Sequence, residues 1–293
     1  MSVQVGSIVA RKSYQCDLLF RVKKIFRDKQ VAELAGEEMR LVADAPLSDL
    51  VLVSEQEQKK MRDRFKEKAE YSFRLFRQDY QLLKQKREFV ATGGYKLKDR
   101  YFELPGKVLH VDGDLLYLEK CLTLYKKLAV PVVGIHMNEL DMPQRVPVLI
   151  DQVRPDVLVI TGHDAYLKSK GTPDDLQSYR HSKHFVRTVK EVRTKIGNLD
   201  HLVIFAGACQ SHFESLIKAG ANFASSPERI NIHALDPVYI VAKICFTSFM
   251  DRVHVADVLR NTLSDEGGLG GVETRGLLRT GMPLKEEIGN KLE

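Results

Sequence analysis

From residue 106 onward the chain alternates apolar strand-like runs with helical ones, and this alternation constrains the fold more than any other feature. "KVLHVDGD" precedes "LLYLEKCLTLYKKL", "VPVVGIHM" precedes "PQRVPVLIDQV", "DVLVITGHD" precedes "YRHSKHFVRTVKEVRTKI", and "HLVIFAGAC" precedes "QSHFESLIKAG". "ANFASSP" reads as one more short strand. Such repetition predicts an α/β fold, a mainly parallel sheet with helices on both faces. The second helix is expected to open near Pro143 and to tolerate or kink at Pro147, and Gly220 closes the fourth.

Two of these strands end alike. "VLVITGHD" delivers Gly162-His163 and "LVIFAGAC" delivers Gly207-Ala208-Cys209, with one helix between them. Consecutive parallel strands often neighbour each other at about 4.8 Å, carboxyl ends on the same edge, where open α/β sheets place their ligands. His163 and Cys209 are therefore expected side by side at that edge. The pairing makes chemical sense, because a free thiol has a pKa of about 8.5 and an adjacent imidazole raises its thiolate fraction and can protonate a leaving amine. Cys209 is also expected near a helix N-terminus, whose N–H groups favour thiolate and oxyanion. Gly207 keeps the turn tight. The competing reading is a buried core cysteine, and it is the histidine one βαβ step earlier that outweighs it.

The remainder is less specific. Residues 5 to 53 carry five short strand-like runs separated by turn signals, which suggests a small SH3-like β-barrel over residues 1–53. Over 54–105 a basic helical connector and linker is expected: Met61, Phe65, Ala69, Phe73, Phe76, Tyr80, Leu83 and Val90 form one stripe of a long amphipathic helix. The excess positive charge over residues 54 to 100 equals the whole net charge of +6. Acidic residues are mixed in, so this face reads as a solvated connector surface rather than a nucleic-acid arm. Residues 106–293 make the α/β part. Four scattered cysteines, Cys16, Cys121, Cys209 and Cys245, fit neither a zinc site nor a disulfide framework. No run resembles a signal peptide or membrane span, so synthesis in the cytoplasm is expected, with no membrane partner.

With histidine 46 positions before cysteine, the α/β part resembles the caspase and clostripain group of cysteine peptidases, which implies a caspase-like sheet. Asp164 follows His163 where that group has glycine, leaving the Asp164 amide to serve as oxyanion donor. At full length, "ARKSYQCDLLFRV", "KVLHVDGD", "VLVITGHDAY", "YRHSKHFV", "LVIFAGACQSHFESLIKAGANFASSP", "NIHALDPVYIVAKI" and "GGLGG" resemble the YabG family of sporulation-specific cysteine proteases. The resemblance implies a thiol protease of spore-forming bacteria that processes spore-coat and related proteins, cuts after basic residues, and associates with the developing spore or its coat; from the residues themselves no cofactor or metal is expected, since neither the cysteines nor "HSKH" come with a ligand cluster. The resemblance maps catalytic roles onto His163 and Cys209.

Gly162, Asp164, Gly207 and Asp236 are the further oxyanion and pocket candidates. A cut after Arg or Lys needs a carboxylate to meet the cation; Asp164, Asp174, Asp175, Glu214 and Asp236 are candidates, with Asp236 favoured. His233 and Asp236 can orient His163 or line the pocket, while Asp236 before Pro237 also reads as a helix cap. His181, His184 and His212 read as helix-surface groups. "EGGLGG" reads as a flexible loop flanking the substrate, and "KQKRE" as a candidate self-cleavage site. Two other classes compete: a cysteine amidase acting on a small or cell-wall substrate, and a non-catalytic scaffold or RNA-binding protein.

Overall fold

A computed structural model describes residues 3–92 and 102–281. The N-terminal part is one antiparallel sheet of five strands: β1 (Ile8–Arg11), β2 (Phe20–Phe26), β3 (Val31–Gly36), β4 (Val42–Pro46) and β5 (Leu50–Leu52), in the order β4-β3-β2-β1-β5. Val9, Phe20, Val22, Ala32, Leu34, Ala45 and Leu50 bury one side of it. "EMRLVAD", the fourth of the five strand-like runs, is a strand only from Val42, because Glu37–Leu41 form the tip that joins β3 to β4.

Helix α1 (Glu55–Thr92) opens on a capping box. Ser54 Oγ accepts the Glu57 N–H at 3.3 Å, and the Glu57 carboxylate accepts the Ser54 N–H at 3.1 Å. Its aromatic stripe packs on the α/β part, with Phe76 6.3 Å from Tyr239 and Tyr80 4.8 Å from Phe246 between ring centroids. Residues 93–101, most of the expected linker, lie outside the described residues.

The strand–helix alternation then follows the expected order. It runs β6 (Phe102–Leu104), β7 (Val108–Asp112), α2 (Leu115–Lys127), β8 (Val132–His136), α3 (Met142–Val153), β9 (Val157–Thr161) and α4 (Ser182–Lys195). Next come β10 (Val203–Ala206), α5 (Phe213–Lys218), β11 (Phe223–Ser225), α6 (Asp236–Phe246), β12 (Arg252–Val253), α7 (Val255–Leu259), α8 (Asp265–Gly268), β13 (Leu269–Gly271), β14 (Thr274–Arg275) and β15 (Arg279–Gly281). Pro147 sits inside α3, which continues through it. The main sheet has the order β8-β7-β9-β10-β11-β13. Its first five strands are parallel, and β13 is antiparallel to β11.

Alternation along each strand feeds two cores. Leu158 and Ile160 of β9 join Ile204, Phe185, Val189 and Ile150 on one face, whereas Val157 and Val159 join Phe205, Tyr125 and Ile240 on the other. The "GGLGG" stretch is not a loop: Leu269–Gly271 is the edge strand β13. A Cβ on Gly271 would come within 2.4 Å of the Asn222 carbonyl, so the glycine permits the close pairing. Among the described residues no helix is long and apolar enough to cross a membrane.

Phe76 anchors α1, so Phe76→Ala should destabilise the protein by about 3–5 kcal/mol, whereas Leu82→Ala, on the exposed face of the same helix, should cost less than about 0.5 kcal/mol. Urea denaturation of both variants checks this.

Candidate active site

Chain order reverses between β7 and β9, since β8 lies on one side of β7 and β9 on the other. At such a switch point the loops after adjacent strands diverge and leave a crevice at the carboxyl edge. Asp112 pairs with Thr161 across β7 and β9, and Ile160 pairs with Ala206 across β9 and β10. His163 and Cys209 therefore each lie three residues beyond a matched pair, and Asp114 and His163 each lie two beyond another. Sequence order alone had suggested the first juxtaposition; the second needed the strand order.

The turn carrying Cys209 depends on glycine. Gly207 has φ +112°, and a Cβ there would come within 2.3 Å of Ser225 Oγ. Ser211 Oγ accepts the Ala208 N–H at 2.9 Å and donates to Asp164 Oδ2 at 2.9 Å. Asp164 has no exposed surface and also accepts from the N–H groups of Ala165 and His181 and from the Ser182 hydroxyl. Burial pushes its pKa up to about 6 against these donors. Its side chain thus braces the two loops from behind. Helix α5 begins only at Phe213, with His212 Nδ1 accepting the Ser215 N–H as its cap, so Cys209 lies in the loop before the helix rather than at its first turn.

Acidic groups surround His163. Nε2 lies 3.1 Å from Asp114 Oδ2, off the line of a well-formed hydrogen bond, and Nδ1 lies 3.7 Å from Glu139 Oε1. Glu139 Oε1 also accepts the His163 backbone N–H at 2.9 Å. The other Asp114 oxygen caps α2 through the Leu116 and Tyr117 N–H groups at 2.8 and 3.1 Å. Glu139 reaches the ring only because two glycines make room: a Cβ on Gly113 or Gly162 would come within 2.1 or 2.4 Å of Oε1. Burial opposes a charge on His163, but the two carboxylates outweigh it and raise its pKa to about 9.

Cys209 has no exposed surface. Its Sγ accepts the Ile232 N–H at 3.3 Å and meets the Ile232 carbonyl at 3.5 Å, and it makes no hydrogen bond to the His163 ring. Burial pushes the thiol up to about 12. The tip of the first sheet lies against its backbone: the Cys209 N–H donates to the Arg40 carbonyl at 3.3 Å. The Arg40 guanidinium has no exposed surface and pairs with Asp112 Oδ2 at 2.7 Å. Burial disfavours charge on both, yet each stabilises the other, so Asp112 is held well below the usual carboxylate range and Arg40 above its ordinary value.

The other anticipated residues fall at the periphery. Asp236 accepts backbone N–H groups from His233 and Leu263 at 3.1 and 2.7 Å, which fixes the Ile232–Ala234 strip at the start of α6. His233 is buried and its pKa falls to about 3; its Nδ1 accepts the Leu235 N–H. Asp175 accepts the Gln177 N–H, Glu214 pairs with Arg229, and the Asp174 carbonyl meets His212 Nε2. His181 lies 3.9 Å from Glu139 Oε2, and its ring is 6.1 Å from that of His184. No group of His, Cys, Asp or Glu among the described residues is arranged to hold a metal ion. Sequence reasoning missed Arg40, Asp112, Asp114 and Glu139. "HVDGD" held two of them, at the end of an apolar strand, and the switch-point rule would have singled them out.

These loops define an α/β protein with a cysteine, a histidine and buried carboxylates gathered at one sheet edge. Residues 4–283 match the family described as YabG peptidase U57, and the chain belongs to that family. It is 60% identical over 288 residues to the sporulation-specific protease YabG of Bacillus subtilis (strain 168), covering 97% of this chain and 99% of that protein. No solved structure matches it. The chain is a peptidase.

Because His163 binds its proton more tightly folded than unfolded, its contribution to stability is complete below about pH 6.5 and is lost as pH rises through about 9. Melting temperature should fall across that window, and His163→Gln should flatten the fall. Calorimetry between pH 6 and 10 reads both slopes.

Proposed function

We propose that the chain is a cysteine endopeptidase acting during sporulation, with Cys209 as nucleophile and His163 as general acid and base. The observation that carries this reading is the matched register that gives neighbouring strands β9 and β10 a histidine and a cysteine at equal distances beyond their paired ends. His163 before Cys209 on adjacent strands also supports a caspase-like architecture. The parts 1–53, 54–105 and 106–293 are kept as an SH3-like module, a connector and the peptidase domain.

The residues take distinct roles. Asp114 and Glu139 keep His163 protonated, and the imidazolium favours a thiolate at Cys209 once the cleft is open to solvent. Thiolate attack on the substrate carbonyl places negative charge on its oxygen, where the Cys209 N–H and the Asp164 N–H are the proposed donors. His163 gives its proton to the departing amine, then accepts one from the water that hydrolyses the thioester. Substrates are proteins cut after a basic residue, spore-coat proteins among them, with the enzyme associated with the developing spore. "KQKRE", the suggested self-cleavage site, begins at Lys84 within α1, and a helix must unwind before a peptidase can bind it as extended chain.

Cys209→Ala and His163→Ala should each abolish cleavage of an Arg-containing protein, Cys209→Ala by about 10⁶-fold by analogy with nucleophile deletion in a triad enzyme, with unchanged circular dichroism. Cleavage by Cys209→Ala at the normal rate would refute the mechanism.

A further inference from the structure

We propose that the β3–β4 tip is a built-in occupant of the substrate cleft, seated as a substrate would be with Arg40 as the residue read by the enzyme and Asp112 as its counter-charge, and that it restrains the peptidase from within. This rests on the peptidase reading above.

The backbone geometry comes first. The tip runs antiparallel to the Ile232–Ala234 strip, with Met39 bridged to His233. The Arg40 N–H reaches the Ile232 carbonyl at 3.4 Å, and the Ala234 N–H donates to the Glu38 carbonyl at 3.1 Å. Adding a strand to an exposed edge is how extended peptides are commonly held, main chain for affinity and side-chain pockets for choice. The next peptide group meets the chemistry. The Arg40 carbonyl takes the N–H of Cys209, the donor an acyl-transfer site aims at the carbonyl under attack, and Leu41 is bridged in parallel to Asp164. The backbones of the proposed nucleophile and of the residue after His163 thus flank the Arg40–Leu41 peptide.

The side chain completes the register. An arginine at a hairpin tip ordinarily reaches solvent. Here it lies in a closed pocket against Asp112 Oδ2 at 2.7 Å, the Ala234 carbonyl at 3.1 Å and Cys121 Sγ at 3.4 Å, with its guanidinium carbon 5.2 Å from the Tyr117 ring centroid. A carboxylate, a carbonyl and an aromatic face are what a pocket for arginine requires. Asp112, at the end of β7, is therefore the reader of the basic side chain. Asp236, favoured from sequence, has both oxygens on backbone N–H groups instead. Glu38, two residues before Arg40, meets Lys120 Nζ at 2.9 Å, so substrates with an acidic residue at that place fit the same cleft.

The occupant closes on itself and is held by α2. The Leu41 N–H turns back to the Met39 carbonyl at 2.8 Å, and Gly36 N–H donates to the Leu41 carbonyl at 2.9 Å. The Tyr117 hydroxyl reaches the Gly36 and Met39 carbonyls, and Lys120 Nζ donates to the Glu37 carbonyl at 3.0 Å. With the tip and the Ile232–Ala234 strip both in place, Cys209 has no surface to offer another chain.

The test uses the full chain and a fluorogenic peptide amide ending in arginine. Arg40→Ala should lower KM at least tenfold, and Arg40→Lys, which keeps the cation but loses the guanidinium fork, should fall between it and wild type. A synthetic peptide of residues 37–43, EEMRLVA, should compete with substrate, and its arginine-to-alanine version should not. Asp112→Asn should weaken turnover of arginyl substrate even in the Arg40→Ala background. Folded Arg40→Ala and Arg40→Lys with wild-type KM, together with no competition by the peptide, would overturn the proposal. Cys209→Ala separates the two claims: if it is inactive while Arg40→Ala has wild-type KM, only the restraint fails, and if it still hydrolyses the amide, the peptidase mechanism fails with it.

Discussion

The ion pair between Arg40 and Asp112, wholly out of contact with water, is the interaction on which the site depends. Burying two charges is expensive, and removing one partner of such a pair typically costs about 3–5 kcal/mol because the other is left uncompensated. Its influence passes along the chain after β7. One Asp112 oxygen holds Arg40, while the other accepts the Asp114 N–H at 2.9 Å and turns the backbone toward α2. Asp114 then divides its carboxylate, one oxygen capping α2 and the other facing His163. The N-terminal sheet, the start of a helix and the candidate catalytic ring are thereby linked through two adjacent carboxylates.

Charge within the cleft is distributed unevenly. His163 lies between Asp114 and Glu139 and is held protonated, whereas the thiol of Cys209, shut away from solvent, is held protonated by burial. Neither state is the imidazolium–thiolate pair that attacks a peptide bond. The imidazolium is already present; under the proposed mechanism, displacement of the covering segment would let water and the imidazolium stabilise a thiolate at sulfur. The burial of Cys209 thus accounts both for its closed surroundings and for its protonated thiol.

Much of this was legible in the sequence. Apolar runs of four or five residues ending in Gly-His and Gly-Ala-Cys were enough to place His163 and Cys209 just beyond the ends of neighbouring strands, because a βαβ unit leaves few alternatives. The aromatic stripe of α1 and the five strands before it were equally readable. The acidic partners were not. Asp112 and Asp114 stand in the polar end of "KVLHVDGD", where nothing local marks them, and their role beside His163 and Arg40 needs the reversal of strand order between β7 and β9. Glu139 comes from a loop 24 residues before His163 in sequence and reaches it through gaps left by Gly113 and Gly162, a tertiary fact no periodicity records. Arg40 was read as part of a strand, since nothing local says that a hairpin tip will be buried in another part of the chain. "GGLGG" misled for the opposite reason: glycines that suggest flexibility here allow a close edge pairing.

The most direct measurement of the central claim is the site of covalent capture by a peptide carrying an arginyl chloromethyl ketone, mapped by mass spectrometry after digestion. The account predicts one adduct, on the Cys209 sulfur, formed in step with loss of peptidase activity. Inactivation with Cys209 unmodified, or an adduct confined to the exposed thiol of Cys16, would contradict it.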